Sequence, residues 1–386
     1  VIYLDYNATT PLDKRVFEAM TPYLTDRWGN PSSPYSFGNQ ARLAAEKARK
    51  RVAECFGCKP SEIIFTSCGT ESDNLALRGT VHALRSRGNH IVTTAIEHHA
   101  VLNTCKALEA EACRVTYLPV GSDGRVRLED VQKSLCRETI LVSVMHANNE
   151  TGVIQPVEEI AALAKKRGIA FHTDAVQTAG KIPGRLCELG ADLISVSGHK
   201  FYGPKGTAAL YIREGTPIHP LLTGGPHERG FRAGTENVAG IIGFSHAMAL
   251  ACESSAGECM RLQDLRDRFE SRVLSVVPGT KVNGASAPRS PNTSSLSFES
   301  IDGESIVLGL DLRGIYVSTG SACSTGDPEP SHVLLAMGLS LKEAQGTIRV
   351  SLGKATRGED IDVVVESLTQ TVKRLRGISS LGSDPH

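Results

Sequence analysis

Asp192-Leu193-Ile194-Ser195-Val196-Ser197-Gly198-His199-Lys200 decides the reading of this chain. An apolar run of strand length breaks into small and polar residues and then into a lysine. One strand earlier, Ala170-Phe171-His172-Thr173-Asp174 ends in an acid, and Gln177 follows three residues later. In open α/β sheets, function gathers beyond the carboxyl ends of the strands, where both Asp174 and Lys200 fall. A lysine, an acid and an amide at such positions are the parts that hold pyridoxal phosphate. The amine forms a Schiff base, the acid pairs with the pyridinium nitrogen and the amide donates to the phenolic oxygen. Alone, Lys200 reads as a surface lysine after a buried strand; its surroundings change that reading.

Working outward, strands are expected at residues 62–66, His90–Thr94, Arg114–Leu118, 140–146, Ala170–Asp174, Leu193–Ser197 and Ala208–Ile212, with helices at 71–84 and 100–110 among them. This alternation predicts an α/β fold with a mainly parallel sheet covered on both faces. Residues 36–56 carry Ala41, Ala45, Ala48, Val52 and Phe56 on one helical stripe. A helical region at 238–277 leads toward strands at 294–298 and 348–352 and a closing helix at 358–376; residues 280–292 read as a loop. At 386 residues the chain exceeds what one core usually supports. The expected division is a large domain over 1–255 and a smaller α+β domain over 256–386, with residues 1–15 packing against the smaller one.

Lys+Arg and Asp+Glu are equal at 42 each, with no long charge run, so nothing points to nucleic acid or a membrane surface. No apolar stretch reaches membrane-spanning length, and the first residues carry no signal-like core, so no export signal is expected. The ten cysteines lack the spacings of a disulfide framework, which favours reduced thiols and a cytoplasmic setting. Cys55-Phe56-Gly57-Cys58 has neither a second ligand pair nor a thioredoxin-like context, and reads as a buried cysteine ending a helix followed by a loop cysteine.

Thr66-Ser67-Cys68-Gly69-Thr70-Glu71-Ser72 joins a strand to a helix. It offers free N–H groups and a helix dipole to a phosphate, although Ser67 or Thr70 could equally cap a helix without a ligand. His98 stands at a strand end, where an imidazole can stack on a ring and shuttle protons; the adjacent His98-His99 pair is poor metal-ligand spacing, and no metal site is expected. In Ser318-Thr319-Gly320-Ser321-Ala322-Cys323-Ser324-Thr325-Gly326, small and turn-forming residues surround one cysteine, which reads as a loop rather than core.

These segments, together with Asp5-Tyr6-Asn7-Ala8-Thr9-Thr10-Pro11, Gly29-Asn30-Pro31-Ser32-Ser33, Asn148-Asn149-Glu150-Thr151-Gly152 and Arg232-Ala233-Gly234-Thr235, resemble the cysteine desulfurases, in order and over nearly the whole chain. The resemblance implies a fold-type I pyridoxal 5'-phosphate enzyme of class V, with a mainly parallel seven-stranded sheet and a smaller C-terminal domain. It implies Lys200 as the Schiff-base lysine, Asp174 at the pyridinium nitrogen, and Asn149 and Gln177 near the phenolic oxygen. His98 would lie over the ring, and Gly69, Thr70, Ser197 and His199 around the phosphate. Thr235 would reach the cofactor of the other subunit of a homodimer. Asn30 and Arg349 resemble the pair that grips the substrate carboxylate, and Cys323 the cysteine that becomes a persulfide. The expected reaction converts L-cysteine to L-alanine, with sulfur passed to an acceptor such as an iron–sulfur scaffold protein. Tyr35 stands where many desulfurases carry histidine, and the segment around it also resembles selenocysteine lyases. The rival readings are therefore a selenocysteine or cystine lyase, a class-V aminotransferase, and a non-catalytic sulfur-carrier platform on the same fold.

Overall fold

The computed structural model describes residues 1–319 and 330–381. A short strand β1 (Ile2–Tyr3) and helix α1 (Lys14–Thr25) precede α2 (Ser36–Phe56). The stripe read from the sequence is the buried face of α2, and Gly57 ends the helix with φ 78°, in the left-handed region that glycine tolerates. Strands and helices then alternate: β2 (Ile63–Thr66), α3 (Gly69–Leu84), β3 (His90–Thr94), α4 (His99–Ala110), β4 (Arg114–Leu118), α5 (Leu128–Ser134), β5 (Thr139–Ser143), α6 (Val157–Arg167), β6 (Ala170–Asp174), β7 (Leu193–Ser197) and β8 (Ala208–Ile212). They form a seven-stranded sheet in the order β2-β8-β7-β6-β5-β3-β4. β8 runs antiparallel to both neighbours, and the other pairings are parallel. Every residue of β2, β3, β5, β7 and β8 is buried, as in a sheet covered on both faces, and this includes the polar His90, Thr93 and Ser195.

Helix α7 (Val238–Val276) leaves this sheet and enters a second core. Phe244 and Met248 pack beneath the large sheet, whereas Leu262, Phe269 and Val273 pack with Leu296, Ile348 and Val350. The remaining elements are β9 (Thr280–Val282), β10 (Thr293–Phe298), α8 (Gly303–Asp311), β11 (Ile315–Tyr316), β12 (Ser318–Thr319), α9 (His332–Ala336), α10 (Leu341–Gln345), β13 (Thr347–Ser351) and α11 (Gly358–Leu381). An antiparallel sheet has the order β12-β13-β10-β9. β1 pairs with β11, and Leu4 is buried in the second core.

Three local expectations are corrected. The stretch read as a loop at 280–292 opens with β9, a half-buried strand at the end of its sheet whose three residues are too few to show periodicity. The strand expected at 140–146 ends at Ser143, although Val144 and His146 still donate N–H bonds to His172 and Asp174. Cys55 and Cys58 are both half-buried, because Cys55 lies beside the Val52–Phe56 stripe rather than on it.

Candidate active site

A cavity of about 250 Å³ opens where β6 and β7 end. Asp174 and Gln177 come from the end of β6 and the turn after it; Ser197 ends β7, and His199 and Lys200 follow it. Gly69 and Thr70 open α3, His98 precedes α4 and Asn149 follows β5. The cavity thus gathers every cofactor residue expected from the sequence except Thr235, which is exposed.

Lys200 Nζ donates to the carbonyls of Asn7 at 2.5 Å and Ala8 at 2.8 Å. Burial brings its pKa down to about 8, helped by Arg349 and opposed by Asp174 and Asp5. Asp174 is buried and accepts the Val176 N–H at 2.8 Å. Desolvation lifts its carboxyl to about 6, and the Asp73 carboxylate pushes the same way. His98 caps α4 by accepting the Ala100 N–H on Nδ1 at 3.1 Å. A nitrogen that accepts carries no proton, so the neutral ring holds its proton on Nε2. Desolvation keeps the His98 pKa below the ordinary imidazole value.

The turn at Ser67 does not use the side-chain cap that the sequence left open. Cys68 occupies the cap position without a side-chain hydrogen bond. Ser67 is taken instead by Glu71, through its N–H at 2.9 Å and its hydroxyl. Glu71 is held in turn by Arg232 at 2.8 Å. The first N–H groups of a helix have no intrahelical partners, so Gly69 and Thr70 present theirs with no side chain competing. A Cβ on Gly69 would stand 3.0 Å from Val176 Cγ2 and 3.7 Å from Ser197 Cβ, so glycine keeps this cradle open. His199 Nδ1 lies 3.1 Å from Thr9 Oγ1, and desolvation with nearby lysines lowers its pKa to about 4, leaving a neutral ring.

These residues fit pyridoxal phosphate. An uncapped helix start with Ser197 and His199 suits the phosphate, a desolvated acid suits a pyridinium nitrogen, and a lysine of lowered pKa suits an aldehyde.

Arg349 on β13 is buried outside the cavity lining. Its Nη1 donates to the Asn149 carbonyl at 3.1 Å and its Nη2 to Asp5 at 2.7 Å, while the buried Nε has no partner among the described residues. Asn30 lies exposed before α2, accepts the Ser32 N–H at 2.9 Å and does not line the cavity. Cys323 lies outside the described residues. On either side of that segment, Ser318 pairs with Arg349 across β12 and β13, and the Ser331 hydroxyl donates to Glu150.

Sequence reasoning assigned no role to Asp73, Lys181 or Asn7. Asp73 is 1 % exposed, lines the cavity and has its Oδ1 3.5 Å from His172 Nε2, with no hydrogen-bond partner among the described residues. Burial raises its pKa to about 7. Its place three residues after Thr70, early in α3, was the one available signal.

The aminotransferase class-V family model matches residues 2–364. A cysteine desulfurase IscS of Dictyoglomus turgidum is 51% identical over 378 residues, covering 98% of this chain and 96% of its own length. A cysteine desulfurase IscS of Methanosarcina thermophila is 48% identical over 380 residues, with 98% and 94% covered. Among solved structures, a NifS-like protein superposes with a TM-score of 0.91 at 43% identity, covering 97% of this chain and 100% of that one. With the fold, the cavity and these likenesses in agreement, the chain belongs to the class-V aminotransferase family, in its cysteine desulfurase branch of pyridoxal 5'-phosphate enzymes.

Proposed function

We propose that this chain takes L-cysteine, releases L-alanine and holds the sulfur as a persulfide on Cys323 for a protein acceptor such as an iron–sulfur scaffold. The observation that carries the reading is the meeting of Lys200, Asp174, Gln177 and His98 in one cavity. Bound pyridoxal phosphate supplies an electron sink that makes the substrate α-proton acidic and its Cβ–S bond labile. Asp174 holds the proton on the ring nitrogen. Lys200, with a pKa near 8, takes the α-proton on Nζ. Arg349, whose Nε has no partner among the described residues, grips the substrate carboxylate together with Asn30. His98, protonated on Nε2, relays a proton to the leaving carbon skeleton. The Cys323 thiolate attacks the substrate sulfur; a new S–S bond forms as the Cβ–S bond breaks, so cysteine and one thiol become alanine and one persulfide.

The same reading places the work in a cytoplasmic homodimer, with Thr235 reaching the other subunit's phosphate. It also divides each chain into a cofactor domain over 1–255 and a smaller domain over 256–386.

The test is Cys323→Ser. The variant should keep the yellow absorbance of bound cofactor and lose at least about a hundredfold in sulfide released from cysteine under reducing conditions. After a single turnover of the wild type, mass spectrometry should find the added sulfur on Cys323. Sulfur on another cysteine, or wild-type rates in the variant, would support a lyase that does not use this thiol.

A further inference from the structure

We infer that Lys181 is a positioning residue that fixes which end of the Gln177 amide faces the cofactor, through a junction built on Asn7. The inference rests on the reading of Gln177 as the amide at the ring's phenolic oxygen. A glutamine amide has nearly the same shape with its oxygen and nitrogen exchanged, so only its partners decide which end is which. Here both ends are decided. Gln177 Nε2 lies 3.1 Å from the Asn7 carbonyl, which can only accept. Gln177 Oε1 lies 3.0 Å from Lys181 Nζ, which donates. One N–H of the amide is spent on Asn7, and the second belongs to a side chain that lines the cavity. An N–H presented there stabilises an anionic ring oxygen; an amide oxygen in its place would repel it.

Lys181 does not line the cavity, so it acts only through its partners. Its other bond goes to Asn7 Oδ1 at 3.2 Å. That oxygen also accepts from Asn292 Nδ2 at 3.0 Å, while Asn7 Nδ2 donates to Thr293 Oγ1 at 2.8 Å and the Asn149 carbonyl at 3.2 Å. Asn7 is 2 % exposed, and the carbonyl that takes the Gln177 amide also takes Lys200 Nζ at 2.5 Å. One asparagine therefore ties β10, the loop after β5, Lys181, Gln177 and Lys200 to a single geometry. Desolvation, with Lys200 and Arg349 nearby, brings the Lys181 pKa down to about 7. Either protonation state retains two N–H bonds, so both donations survive the titration. Without Lys181, Gln177 Oε1 would be buried with no donor, and turning the amide toward the cavity would relieve that cost.

The experiment compares holoprotein of wild type, K181M, Q177A, K181M/Q177A and K181R. It reads the pH titration of the visible cofactor band and the dissociation constant for pyridoxal phosphate added to apoprotein. K181M should shift the band's titration in the same direction as Q177A and weaken cofactor binding about tenfold, K181R should restore most of both, and the double variant should match Q177A alone. A shifted Q177A with an unshifted K181M overturns the inference, as does additivity in the double variant. A Q177A band identical to wild type overturns the reading of Gln177 itself, and with it this inference. K181L repeats the comparison if K181M does not fold.

Discussion

Glu97 lies fully buried one residue before His98. Its Oε1 accepts from the Thr94 hydroxyl at 2.7 Å and the Met145 N–H at 2.9 Å, while Oε2 has no partner among the described residues. Burial pushes its pKa to about 8, with Asp174 and Asp73 adding to the rise. A carboxyl whose folded pKa is raised contributes its full stability below the unfolded value of about 4.3 and loses it as pH climbs through the folded value. Asp73 and Glu150, both raised to about 7 by burial, act in the same direction. His90, His146, His172 and His199, lowered to about 4 by burial, act in the opposite direction in both proteins, so the effect is a difference: between pH 5 and pH 8, Glu97→Gln apoprotein should gain stability relative to wild type by a few kcal/mol, on the order of one per pKa unit. Urea unfolding at the two pH values checks this, and equal pH dependence in the two proteins would refute it. Nothing local in the sequence marks Glu97 as buried, because neighbouring residues do not report what packs over a side chain. Lys200 and Asp174 were legible because strand ends are visible in a run of residues.

At the scale of elements, α2 is joined to the start of the large sheet by Arg49 and Glu228. Arg49 donates to Glu228 at 2.7 and 2.8 Å and to the Ile63 carbonyl at 2.7 Å, and Glu228 also accepts the Phe65 N–H at 2.8 Å. Both side chains are almost fully buried, and Glu228 takes a φ of 46° to make the contact. Arg49 Nε also reaches Glu46 at 3.0 Å, but Glu46 is half exposed, so removing Glu228 strips the buried guanidinium of its buried counter-charge and leaves the Phe65 N–H without its acceptor. Glu228→Ala should thus cost about 3–5 kcal/mol, read from the denaturant midpoint at constant slope. A loss under about 1 kcal/mol would show that Arg49 finds other partners. The boundaries of β6, β7, β8 and α2 were readable to the residue because apolar runs and a helical stripe mark them. β9 and the early end of β5 were not, since pairing partners rather than composition set those limits.

For the whole molecule, the single chain leaves Thr235 exposed and outside the cavity lining, so the role proposed for it at a phosphate is one it would perform in a second copy. Sedimentation should give about twice the chain mass of 41.2 kDa. Thr235→Ala should retain that mass while weakening cofactor binding about tenfold; a monomer at micromolar concentration would rule out shared sites. Alternation of apolar runs with helical stripes, and polar residues at two strand ends, determined the α/β class and the candidates Asp174 and Lys200 from sequence alone, and the order of motifs resembling the cysteine desulfurases implied the cofactor. These are local patterns, set within a few residues of one another. The antiparallel placing of β8 between β2 and β7, the tie from Arg349 to Asp5 and the junction at Asn7 were decided only by the tertiary structure. Asn7 binds Gln177, Lys200 and Thr293, partners 170, 193 and 286 residues away. Contacts of that separation form only when sheet order and register bring distant segments together, and one sequence by itself carries no record of which segments meet.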